Sequence, residues 1–240
     1  MLALAQAGGP HAALAARRAA SLAERQDPEL AREALKVAIR LEPQDPAPRL
    51  ALARLAAEQG DLAGAAAEAR AVLAEGMDQT ARARAAFMLG EITRVQGDAA
   101  AARGFYDETL RLEDALLAAN RSDPTAARWY ARARGRLAEL DAAAGESARA
   151  RTGAEGALAL LRASAAAIGE PPVLAADIAD AEMRLGALEL DAGQPASARR
   201  RLGEAIGRYE ALATTERDEP HWRATLSDAW ALAAEADYVR

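Results

Sequence analysis

Apolar residues recur along nearly the whole chain at three- and four-residue intervals. Ala31, Leu35 and Ala38 in ELAREALKVAIRLEP show the spacing, which is the mark of an amphipathic helix. The interruptions are short and alike. Ala53–Ala65 reads ARLAAEQGDLAGA, Gly90–Ala102 reads GEITRVQGDAAAA and Gly186–Ala198 reads GALELDAGQPASA. In each, a helical stretch meets Gly, a polar residue or Pro restarts the chain, and Ala follows five residues past the Gly. Gly tolerates the left-handed backbone that ends a helix, and Asp or Pro suits the next helix start. The pattern predicts helices over 11–25, 28–41, 46–59, 61–75, 79–96, 98–119, 124–144, 146–168, 172–192, 195–216 and 220–238.

The same register runs through five turns, at Gln26, Gly60, Gly97, Gly145 and Gly193. Ala31, Ala65, Ala102, Ala150 and Ala198 stand five residues beyond them, each small enough to let two helices of a hairpin approach closely. The turn spacings are 34, 37, 48 and 48 residues, and Pro124, Pro172 and Pro220 repeat the 48-residue step. The expected division is a tail at 1–11, hairpins of about 34 residues over 12–113, and elongated 48-residue units over 114–240. The next turn would fall at 241, so residues 220–238 are expected to form a capping helix.

Composition supports an all-α chain and excludes several chemistries. Of 240 residues, 51% are hydrophobic but only 4% aromatic, and about 70 are Ala, the strongest helix former. Pleated sheets want β-branched and aromatic side chains instead. A charged fraction of 28% argues against disorder, and no apolar run is long enough to span a bilayer. The net charge of −6 implies no nucleic-acid footprint. Lys36 is the single lysine, a bias toward Arg that, with the Ala excess, reads as GC-rich coding. Without Cys there are no disulfides, thiolate metal sites or cysteine nucleophiles. Met1–Ala7 is similar to the end of a signal peptide but lacks a basic leader; the expected compartment is cytoplasmic, with periplasmic as the alternative.

These strings resemble the tetratricopeptide repeat, a helix hairpin of about 34 residues. The resemblance rests on Leu89-Gly90…Gly97-Asp98…Ala102 and Leu185-Gly186…Gly193…Ala198. It also rests on Leu52-Ala53…Gly60-Asp61…Ala65, on Leu137-Ala138…Gly145…Ala150, and on Ala31, Leu35, Ala38 and Pro43. The longer units are similar to elongated versions in bacterial proteins. Departures are clear: the first-helix aromatic is replaced by Ala15, Arg49, Ala86, Arg134 and Glu182. The Tyr one turn before the Gly becomes Leu22, Ala56, Thr93, Asp141 and Glu189. The resemblance implies a right-handed α-solenoid of about five hairpins plus a cap, whose first helices line a concave groove for a peptide or helix.

In that register the groove carries Arg54, Glu58, Arg84, Phe87, Glu91, Arg94, Arg132, Arg136, Glu139, Asp180, Met183 and Arg184. Phe87 and Met183 are candidate apolar anchors and the arginines candidate forks for carboxylates, unless the charges are a solvated face and Phe87 is core. A clamp for a C-terminal carboxylate needs Lys and Asn where Ala16, Ala20, Leu50 and Arg54 stand, so that subtype is not expected. Trp129-Tyr130, Trp222 and Trp230 are expected to plug joints and cover the open end, with a contact surface as the alternative. Arg199-Arg200-Arg201 reads as a solvated face. His11 and His221 form no ligand pattern, and no phosphate loop or nucleophile motif occurs, so no catalysis, metal or cofactor is expected. The sequence thus supports a non-catalytic scaffold for a protein or peptide partner. The alternatives are a ligand-sensing regulatory module and an envelope or export assembly factor.

Overall fold

The structure, a computed structural model, describes residues 11–24, 26–74, 78–215 and 221–238, with the backbone alone for 221–224. Met1–Pro10, Glu219, Pro220 and the Trp222 side chain therefore lie outside the described residues, and with them the signal-like segment.

Eleven α-helices and no strands occur among the described residues. They are α1 (Ala12–Ala23), α2 (Pro28–Leu41), α3 (Pro46–Glu58), α4 (Leu62–Ala74), α5 (Gln79–Val95) and α6 (Ala99–Ala119). α7 (Pro124–Ala143), α8 (Ser147–Ile168), α9 (Pro172–Asp191), α10 (Pro195–Thr215) and α11 (His221–Tyr238) follow. Local chemistry sets their ends. Asp27, Asp45, Asp78 and Asp123 precede helices and accept hydrogen bonds from the orphan first-turn N–H groups, as Asp123 does from Thr125 at 2.8 Å. Pro28, Pro46 and Pro124 then open helices where no N–H is needed. At the hairpin corners Gly60, Gly97, Gly145 and Gly193 have φ of 81°, 83°, 80° and 68°, the left-handed geometry that a side chain disfavours.

The chain forms two compact units, residues 1–112 and 113–240. In the first, α1 packs on α2, α2 on α3, α3 on α4 and α4 on α5, and α3 also touches α5. In the second, α7 through α11 pack consecutively, and α7 also touches α9, as α9 does α11. First helices thus meet first helices. Second helices of the second unit meet through long side chains, as where Arg162 of α8 reaches Glu204 of α10 at 2.6 Å. α3 and α5 thus share one face of the first unit, and α7, α9 and α11 one face of the second.

The interior is built largely from Ala. Ala31, Ala65, Ala102, Ala150 and Ala198 are all fully buried, at 0% exposure. Each buried methyl contributes only about 0.8 kcal/mol, so cohesion comes from many close helix contacts rather than a few large side chains. Two close approaches use Gly90 and Gly186. A Cβ on Gly90 would meet the Tyr106 ring, and one on Gly186 would meet Leu202. No helix among the described residues is long and apolar enough to cross a membrane.

Candidate functional site

In the second unit the odd helices carry a ladder of opposite charges. Arg128, Arg132 and Arg136, spaced by four, share one side of α7. Arg128 donates to Asp177 of α9, and Arg132 approaches the same carboxylate at 3.4 Å while its guanidinium lies 5.1 Å over the Trp129 ring. Asp177 is buried. Desolvation pushes its carboxyl above the ordinary value, with Arg132 and Arg128 pulling the other way. One turn on, Glu139 accepts from Arg136 at 3.0 Å and from Arg184 of α9 at 2.5 Å. Asp180 accepts from the Tyr209 hydroxyl, and burial, then Asp180, keeps that phenol protonated far above its usual range.

Beside this ladder lies an apolar groove of about 300 Å³. Met183, Ala187 and Leu188 of α9, Ala138 and Ala142 of α7 and Leu232 of α11 line it, with Glu139, Arg184 and Asp191 at its edges. Glu139, Met183 and Arg184 line this groove, and Arg136 joins them through Glu139. The arginines arrive already held by carboxylates.

The first unit is arranged differently. Arg54 of α3 donates to Glu24 of α1 and, at 2.9 Å, to Glu58 on its own helix. It borders a smaller apolar pocket of about 190 Å³ lined by Ala20, Ala31, Leu35, Ala47, Pro48 and Ala51, with Arg17 also lining it. On α5, Arg84 and Arg94 are half-buried, and Arg94 pairs with Glu91 at 3.3 Å. Glu91 also accepts from the Tyr106 hydroxyl at 2.5 Å. Phe87 is 9% exposed and its ring tilts against Tyr106 at 5.7 Å, so it is core rather than a groove anchor. The cause is Gly90, whose missing side chain admits Tyr106 beside the turn that carries Phe87.

The structure also shows buried charges that the groove register did not single out. Glu182, at an aromatic position of the repeat, has 0% exposure and accepts from Arg162 of α8 at 2.8 Å and Arg208 of α10 at 3.0 Å. Burial holds its carboxyl above the usual value, opposed by Arg162 and Arg208. At the positions where the repeat expects Tyr, Asp141 is buried against Arg149 at 3.0 Å and Glu189 against Arg201 at 3.5 Å. Carboxylate-and-Arg groups have replaced aromatic plugs. The available signal was an acid at an interior register position.

Two surface expectations change. Trp230 is 53% exposed and plugs no joint, because α11 turns Ala229, Leu232, Ala233 and Ala236 inward instead. Arg199-Arg200-Arg201 is not uniformly solvated: Arg199 reaches Asp237 of α11, Arg200 pairs with Glu204, and Arg201 reaches buried Glu189. No group of three or more acidic or His side chains among the described residues is arranged to hold a metal ion.

Antiparallel helix pairs with a glycine corner, a buried Ala five residues on, and first helices touching first helices define a tetratricopeptide-type repeat fold. Solved structures carry the same fold. The chain is similar to the tetratricopeptide protein TTC0263 of Thermus thermophilus, at TM-score 0.52 and 18% identity over 91% of this chain and 98% of that one. It is similar to MamA of Desulfovibrio magneticus, at TM-score 0.52 and 18% identity over 85% and 97%. The kinesin light chain TPR-like repeats of Podospora anserina align at TM-score 0.57 and 18% identity over 87% and 99%. No family model matches the sequence, and no curated protein matches it.

Proposed function

We propose that the chain is a non-catalytic interaction scaffold whose odd-helix faces bind a peptide segment or helix of a protein partner. The observation that carries this reading is the apolar groove on α7, α9 and α11, open beside a fixed ladder of ion pairs. The groove supplies surface that gains from being covered, and the paired charges hold its walls in place before a partner arrives, which lowers the ordering cost of binding. The shared fold with tetratricopeptide proteins supports the reading as an analogy of architecture.

The test is selection of peptides from a random display library on the full chain, followed by mapping on variants. Groove binding predicts that selected peptides lose affinity for Ala187→Phe, which fills the groove, and for Arg136→Glu, which breaks the pairing with Glu139 at its edge. Peptides indifferent to both substitutions would overturn the proposal. Saturable stabilisation by a small metabolite, with no peptide selected, would favour a ligand sensor instead.

A further inference from the structure

We infer that the α7–α9–α11 groove selects a basic amphipathic helix, one presenting small or branched apolar residues along one stripe with Lys or Arg on either side. The inference rests on the groove being a binding surface and adds the chemistry of its occupant.

The floor is apolar, and its edges are not electrically neutral. Arg136 and Arg184 converge on the single carboxylate of Glu139, and Arg132 is committed to buried Asp177. Their charge therefore points into the protein's own carboxylates. The acids are less committed. Asp191 lines the groove directly and is exposed. On α11, Leu232 lines the groove, and Asp228 and Glu235, four residues before and three after it, flank it and are exposed. None of these three carboxylates forms an ion pair among the described residues. An apolar trough with one solvent-facing carboxylate, Asp191, in its wall, and two more on α11 one turn before and after its Leu232, complements apolar anchors flanked by cations and repels the same anchors flanked by acids. A helix is the fitting form because the groove runs between helices, where i, i+3 and i+4 side chains can enter together.

Fluorescence anisotropy on the full chain tests this with two labelled synthetic peptides of about 18 residues, long enough to hold a helix. Both carry the same Leu/Ala stripe; one has Lys flanks and the other Glu flanks. Lys-flanked binding is expected to exceed Glu-flanked binding by at least about tenfold, and Asp191→Lys plus Glu235→Lys should remove that preference. Ala187→Phe should abolish binding while circular dichroism shows unchanged helix content. Equal binding of both peptides, still blocked by Ala187→Phe, would overturn the charge inference and leave the groove reading standing. Binding that ignores Ala187→Phe, or no binding of either peptide, would overturn the inference as well, and the library selection then decides the groove reading by itself.

Discussion

Gly90 of α5 faces Tyr106 of α6 so closely that a Cβ on Gly90 would stand 2.5 Å from Tyr106 Cε1. The fully buried ring occupies the space where other residues carry a side chain, while its hydroxyl donates to Glu91. Ala is the better helix former by about 1 kcal/mol, yet Gly90→Ala is expected to destabilise by about 1–3 kcal/mol, because overpacking at an immobile ring outweighs propensity. Urea unfolding checks the sign, and Gly186→Ala, 2.7 Å from Leu202 Cγ, is expected to follow it.

The opposite result is expected at Gly156 and Gly203, which sit inside α8 and α10. A Cβ at either would meet nothing within 4 Å. Changing either to Ala should stabilise by about 0.5–1 kcal/mol, through propensity and a less flexible unfolded chain. The two effects should add, since the sites share no partner. Thermal unfolding of the single and double variants measures this.

Glu182→Ala is expected to cost about 1–2 kcal/mol, because it removes the buried carboxylate shared by Arg162 and Arg208, which still pair with Glu204 and Glu170. Replacing Glu182, Arg162 and Arg208 together by apolar residues of similar volume should cost far less than that single change. Denaturant unfolding of both variants separates a missing partner from a missing charge network.

The same carboxyl gives a pH signature. Burial raises the folded-state value of Glu182 above 4.5, the ordinary one, so between those two values the native state binds more protons than the unfolded state. Its contribution to stability is therefore largest at low pH and is lost as pH rises through the folded value. The difference in unfolding free energy between the native sequence and Glu182→Gln should fall across that window and be flat above it. A difference that grows with pH would contradict the assignment.

Much of this architecture was legible because it depends on spacing. The corner at Gly97 and the buried Ala102 follow from a helix needing an end and two helices needing a close approach, and both requirements act within a few residues. The ion pairs were not legible in the same way. Arg54 finds Glu24 thirty residues away in sequence, and Arg184 finds Glu139 forty-five away. A flexible Arg chooses among carboxylates that only the fold brings near. Phe87 shows another limit, since its inward position depends on what α6 brings opposite Gly90. Glu182 was half visible: the register made its position interior, but the two arginines that satisfy it come from the neighbouring helices.

Within each unit a helix leans on those one or two places away along the chain. Assembly then requires no distant closure of the polypeptide, so the entropic toll of bringing remote segments together is small and collapse is correspondingly quick. Inside a unit each hairpin can dock onto the one before it as synthesis proceeds, leaving little time for sticky surfaces to meet other chains.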